Sequence, residues 1–320
     1  MIAAWTAFLV NFLFWTGTAA GSMAFAALLD VTGAEWAAPL RATAIRFHRF
    51  LPVSVVLYVV LLIGARRVYP WIAHPHPIDV AWLRFWPFVI RDLAALGTVA
   101  AAAAWFSSRP VATTKATVVF LITYAVAFSI LAIDLVMSLA APWGSTLFPA
   151  YLLLANLYAA IAAVALVTAW SSRDRDETLT ADRAADLAKI LLGFSLLWMY
   201  LVWSQFLVIW YGNVSDEVRY LIPLLYGRWQ RLAWTIWAAR FALPFVVLLP
   251  RIGKRRAPVL VVASFVAAGF WAECFLLVTP AASGPPSTWT AIAVTAAFLV
   301  LFAAVTAPRP ARARRLRNAP

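Results

Sequence analysis

The stretch TVVFLITYAVAFSILAIDLVMSL, residues 117–139, carries a single charged side chain, Asp134, in a run long enough to cross a bilayer as a helix. A span needs about 20 predominantly apolar residues at a rise of ~1.5 Å each. The run shows no alternation of apolar and polar positions, which argues against a barrel strand. Helices and closed barrels are the two structures that satisfy every backbone group in lipid. Working outward, comparable runs occupy residues 2–29, 47–64, 85–106, 146–170, 188–210, 231–250, 257–279 and 288–307. The composition agrees: 64% of the 320 residues are hydrophobic and 12% charged, which excludes a water-soluble core of this size. The expected fold is an all-α polytopic transmembrane bundle of about nine spans, a single domain over residues 1–308 followed by a basic tail, 309–320. The polar stretch 171–186 subdivides it into five and four spans. No internal sequence repeat stands out.

The first span exceeds the length of a signal-peptide apolar region and has no Lys or Arg before it, so it is expected to be retained without cleavage. In the second, Pro52 near its start and Arg66, Arg67, Tyr69 and Trp71 at its end fit interfacial anchoring. The 26 lysines and arginines fall mainly in the loops after spans one, three, five and seven and in the tail. The positive-inside rule then places the C-terminus in the cytoplasm and the N-terminus outside. That asymmetry accounts for the net charge of +13 without any nucleic-acid partner. The tail from Arg309 to Arg317 reads as a lipid-facing end next to anionic headgroups.

Six ionisable residues lie within spans: Arg91, Asp92, Asp134, Lys189, Arg240 and Glu273. A charge at membrane depth costs from about 3 to more than 10 kcal/mol, so each marks a partner or a pathway. Lys189 belongs to the cytoplasmic rim, where it can snorkel. The other five fall mainly in the outer half. Neighbours on a helix point about 100° apart, so Arg91 and Asp92 must look toward different helices. Two readings follow. The first is a set of bundle-locking pairs, such as Asp92 with Arg240 and Arg91 with Asp134 or Glu273. In the second, Asp134, Asp92 and Glu273 form one polar cluster and proton path reaching the outside, held by Arg91 and Arg240, with Gln205 at its mouth. Ser204 and Asn213 stand at the same outer level. Asn11 and Asn156 are expected to make helix-to-helix hydrogen bonds, and the Gly17-x-x-x-Gly21 step permits close helix approach.

Redox ligands are scarce. The three histidines fall in loops: His48 in a basic segment, 41–49, expected to be an interfacial helix, and His74 and His76 in a Pro-rich outer segment, where they are expected to act as contact residues. A transmembrane b-type haem takes axial ligands from inside the bundle, usually His. A single cysteine, Cys274, excludes an internal disulfide, a CxxCH haem attachment and a Cys-ligated cluster. No bound cofactor or metal is therefore expected. The outer segments 65–84 and 211–230 are long, aromatic and Pro-bearing, and read as docking surfaces.

Two blocks carry a family resemblance. Residues 132–139, AIDLVMSL, followed by WGSTLF at 143–148, resemble the F-type membrane subunit of bacterial alternative complex III. So do LWMY at 197–200 and SQFLVIWYGN at 204–213, with support from Leu51-Pro52, Tyr69-Pro70-Trp71, Arg91 and FALPF at 241–245. The chain departs from that pattern at Ala140, where the family usually has Glu, and at Arg240, where His is frequent. It also lacks a first helix expected from a ten-span relative.

The resemblance implies an NrfD-like fold in a bacterial inner membrane. It implies a respiratory quinol:cytochrome c oxidoreductase whose other members are an NrfD-like quinol subunit, multihaem cytochrome c and iron-sulfur subunits, with a terminal oxidase as a further partner. Quinol is then a ligand of the complex, and electrons bypass this chain. Its expected role is scaffolding together with a proton path facing the periplasm. The alternatives are a secondary transporter using the same charges and a membrane anchor without chemistry.

Overall fold

The computed structural model describes residues 2–73, 81–109, 114–141, 143–171, 179–213, 218, 222, 224, 226–281 and 287–308. His74 and His76, the tail and parts of the segments 171–186 and 211–230 lie outside the described residues. Among the described residues every regular element is helical, and nine helices are long and apolar enough to cross a membrane. This is the architecture of a multi-pass membrane protein.

The chain begins with α1 (Ile2–Val31), then α2 (Ala38–Arg46), which runs through a 3₁₀ turn (Phe47–Arg49) into α3 (Phe50–Ile63). After short helical turns come α4 (Phe85–Ser107), α5 (Thr114–Leu135), α6 (Phe148–Ser171) and α7 (Ala181–Gly212). A broken span follows: α8 (Gln230–Trp237), a π-helical turn (Ala238–Ala242) and α9 (Leu243–Leu248). Helices α10 (Arg256–Val278) and α11 (Thr288–Thr306) complete the bundle.

Three local outcomes differ from the sequence reading. The basic segment 41–49, expected as an interfacial helix, is continuous with the second span in one 29-residue helical rod, Glu35–Ile63, that enters the bundle. Pro39 opens α2 at a position where a missing N–H costs nothing. Leu40, Ala44 and Phe47 recur on one face and are buried, while the guanidinium of Arg41 clamps the Asp30 carboxylate with two hydrogen bonds. The fourth span stops being α-helical at Leu135 and finishes in a 3₁₀ turn, Met137–Ala140, so Asp134 stands in the last turn of α5. The seventh span is interrupted at Arg240.

Successive spans alternate in direction, as bonds at the two ends of the bundle record. At the basic end, Arg41 holds Asp30, Arg49 donates to the Ala307 carbonyl (3.1 Å) and Arg183 to the Trp36 carbonyl (2.9 Å). At the other end, Trp71 donates to Ser138 (3.3 Å), Tyr69 to the Leu135 carbonyl (3.4 Å) and Gln205 to Ser145 (3.3 Å).

Helices α1 and α6 form the centre, each with 78% of its spanning window buried, whereas α7 and α11 have 17% and 11% and lie at the rim. In lipid there is little hydrophobic drive between helices, so packing and small residues decide which ones meet. Gly17 and Gly21 supply the contact. A Cβ on Gly21 would stand 2.7 Å from the Asn156 carbonyl oxygen and 2.9 Å from the Ala160 Cβ, and Asn156 fills the space beside Gly17. Asn11 is the polar counterpart: it donates to Thr295 on α11 (3.0 Å) and accepts from Trp271 on α10 (3.2 Å). The exposed faces carry residues such as Val56, Ile63, Ile122, Trp170 and Val208, as lipid contact requires.

Candidate functional site

The five interior charges gather in two places rather than one. Where α3, α4 and α5 meet, Arg91 on α4 donates through Nε to Asp134 on α5 (2.6 Å), and Trp82 donates its indole N–H to the other Asp134 oxygen (2.7 Å). Trp82 comes from a 3₁₀ turn, Ala81–Leu83, ahead of α4. Its ring stacks on the Arg91 guanidinium at 3.9 Å, and its carbonyl accepts from Nη2 (3.3 Å). Asp134 is wholly enclosed, whereas the Arg91 side chain keeps 18% of its surface and Trp82 is exposed. The indole and guanidinium form a lid over the carboxylate.

Asp92, one position along α4, turns toward α3, where Tyr58 donates to it (3.0 Å). Arg91 and Asp92 thus take different bonded partners, as helix geometry requires. Asp92 does not pair with Arg240, because α4 packs against α3 and α5 while Arg240 faces α6, α7 and α10. Its carboxyl instead lies within electrostatic reach of that of Asp134, and one Asp92 oxygen is buried without a protein donor. Among the described residues the cluster sets two carboxyls against one guanidinium, so one added proton would bring it to neutrality. Tyr69, outside the spans, lies within electrostatic reach of both; burial holds its phenol well above the ordinary range, so it stays a neutral hydroxyl.

The second group sits where α6, α7, the π turn and α10 converge. Arg240 pairs with Glu273, and both are buried. Glu273 also accepts from the Tyr151 hydroxyl and from the Trp198 indole (3.0 Å). The guanidinium lies 5.0–5.2 Å from the ring centres of Trp198, Phe270 and Tyr158, and Nη2 donates to the Ala155 carbonyl (3.0 Å). Gly269 makes room for it: a Cβ there would stand 2.8 Å from Arg240 Cγ.

The break in the seventh span follows from Pro244. Four residues after Arg240, it has no N–H to give the Arg240 carbonyl. The hydroxyl of Tyr158 donates to that carbonyl instead (3.0 Å), and the Leu243 N–H reaches back to Ala238 in the wider π register. Tyr158→Phe leaves a buried acceptor unpaired and is expected to cost about 1–3 kcal/mol. Pro244→Ala, which returns the donor, should suppress most of that loss, read as the unfolding temperature of the purified single and double variants.

Beside the ion pair a cavity of about 420 Å³ opens between α6, α7, α8 and α10. Trp198, Trp203, Phe206, Trp234 and Trp237 line it, with Gln205 and Glu273 among its polar residues. Gln205 therefore stands with Glu273 and away from the Asp92–Asp134 pair. Lys189 is exposed and bonded to Asp186 (2.7 Å), outside both groups.

Sequence reasoning missed the neutral donors: Tyr58, Trp82, Tyr151, Tyr158 and Trp198. The available signal was a hydroxyl or indole one helix over from each buried acid, and choosing among 17 tryptophans and nine tyrosines needs the packing. Among the described residues no group of three or more His, Cys, Asp and Glu side chains is placed to hold a metal ion. No protein-family model matches the chain, and no curated protein matches it.

Proposed function

We propose that this chain is a membrane subunit of a quinol-oxidising respiratory assembly of the alternative complex III type, providing scaffold and a proton-handling site. In this reading its companions are an NrfD-like quinol subunit, multihaem cytochrome c and iron-sulfur subunits, and electrons pass outside it. It sits in a bacterial inner membrane with the basic end of the bundle in the cytoplasm and the N-terminus outside, as the positive-inside rule orients it.

The observation that carries the reading is the pair of acids Asp92 and Asp134 near the guanidinium of Arg91, the one cation bonded to them among the described residues. Such a site takes up or gives out one proton while its net charge changes between zero and minus one, in surroundings that already contain the balancing cation. Its lid of Trp82 and Arg91 lies at the bundle end opposite the basic one, the periplasmic end in this orientation. The sequence blocks 132–139 and 204–213 supply the respiratory context.

The test has two parts. The affinity-tagged chain, solubilised in mild detergent, should bring down haem-bearing subunits. Asp134→Asn, which keeps the shape and the Asp92–Arg91 charge balance, should slow quinol-dependent cytochrome reduction several-fold in an intact complex. Lost assembly with normal turnover per complex would instead make this chain an anchor, and purification without haem subunits would favour a transporter.

A further inference from the structure

We infer that the cavity between α6, α7, α8 and α10 houses one acyl chain of an anionic phospholipid, whose phosphate is held at the cavity mouth by Arg228 and Arg231. The polar side chains on the wall below the mouth are already engaged. Tyr151 and Trp198 donate to one oxygen of Glu273, the other oxygen is enclosed against Arg240, and Gln205 donates to Ser145 (3.3 Å). A polar head carried to that depth loses its water and finds no partner, whereas a methylene chain leaves no polar group stranded. The dimensions agree with a chain. Lining residues on α7 run from Trp198 to Ile209, about 16 Å at ~1.5 Å per residue, and one leaflet contributes about 15 Å to a hydrocarbon core of ~30 Å. Trp203 and Trp234 line the slot and are also exposed on the outer surface of the bundle, the side from which a lipid enters.

The mouth selects the head. Gln230, the first residue of α8, lines the cavity together with Ala233, Trp234 and Trp237, positions i, i+3, i+4 and i+7 of one helix face. Arg231 follows it, three positions before Trp234 and therefore beside it on the helix surface. Arg228 stands in the turn ahead of α8, its guanidinium 4.8 Å from the ring centre of Trp229. Both arginines are exposed, and among the described residues neither is bonded to a carboxylate. The positive-inside rule puts this end of the bundle outside, so topology does not account for two arginines here. A phosphate does: a guanidinium binds phosphate oxygens through charge-assisted, bidentate hydrogen bonds. A zwitterionic head would set its own cation against these two, so a lipid of net negative charge is preferred. The inference is independent of the quinol-linked reading and of the Asp92–Asp134 pair, and only the choice of leaflet depends on the orientation.

The full chain, affinity-purified in mild detergent with whatever subunits accompany it, is titrated with dioleoylphosphatidylglycerol or dioleoylphosphatidylcholine, and bound lipid is counted by native mass spectrometry. One equivalent of the glycerol lipid should bind at least tenfold more tightly than the choline lipid. Arg228→Gln combined with Arg231→Gln, both on the exposed surface, should bring the two lipids within a few-fold of one another. Ala233→Trp, which fills the slot, should abolish the tight equivalent. Glycerophosphoglycerol, the same head without chains, should not compete, which separates an anchored lipid from a free phosphate ester. Equal binding of the two lipids by the unaltered protein, a preference that survives loss of both arginines, competition by the chainless head, or a tight equivalent that persists in Ala233→Trp would overturn the assignment. If Ala233→Trp is not recovered folded, the arginine comparison and the chainless competitor decide the matter.

Discussion

Glu273→Gln is expected to abolish recovery of folded protein, Arg240→Met to reduce it less severely, and the two together to restore most of it. Breaking a buried ion pair by removing one partner costs about 3–5 kcal/mol, a large fraction of the stability of most proteins. The two single substitutions are not equivalent. With Glu273 replaced, the guanidinium of Arg240 remains charged in the centre of the bundle, since arginine does not shed its proton in proteins. The surrounding rings of Tyr158, Trp198 and Phe270 and the Ala155 carbonyl offer partial compensation only. With Arg240 replaced, Glu273 keeps its two neutral donors, Tyr151 and Trp198, and can be neutralised by a proton. The double variant removes both charges, and apolar or neutral replacement of a buried pair is often neutral or stabilising. Monodispersity and unfolding temperature in detergent measure all three. Equal loss in both single variants, with no rescue in the double, would show that the pair is held in place by something other than its mutual charge.

The spans were legible because length and apolarity alone define them, and all nine lie on helices that meet those criteria. Their ends were less so. Asp134 falls at a helix terminus because Leu135 gives way to a 3₁₀ turn, and the π turn at Arg240 needs the pairing of Pro244 with Tyr158, which lies 82 positions away from Arg240. Of the six flagged charges, Asp92, Asp134, Arg240 and Glu273 are buried, Arg91 is largely enclosed and Lys189 is exposed, and one of the suggested pairs, Arg91 with Asp134, is formed. The pairing of Asp92 with Arg240 is not. Residue spacing fixes how deep a side chain sits and the angle between neighbours on one helix. It does not say which helix stands opposite, and that decides whether an acid meets an arginine, a tyrosine or another acid.

That distinction between depth and direction matters most at Arg91. Arg91→Leu should depress stability by about 3–5 kcal/mol and, separately, turnover by about 100-fold, which corresponds to about 2.7 kcal/mol in the barrier of the proton-handling step. The substitution leaves Asp92 and Asp134 facing one another with Tyr58 and Trp82 as their remaining donors and strips Trp82 of the cation on which it stacks. Adding Asp134→Asn to this variant removes one of the opposed acids. Stability should then recover, because one carboxyl bonded to Tyr58 is easier to bury than two in contact. Turnover should not recover, because a site with one carboxyl and no guanidinium cannot cycle a proton between a neutral state and one in which a nearby cation balances the charge. An assembled complex with restored thermal stability and unrestored quinol turnover would separate the chemistry of the pair from its role in holding α4 to α5. If turnover returned together with stability, the carboxyl pair would be a structural fastening and the proton path would have to lie elsewhere.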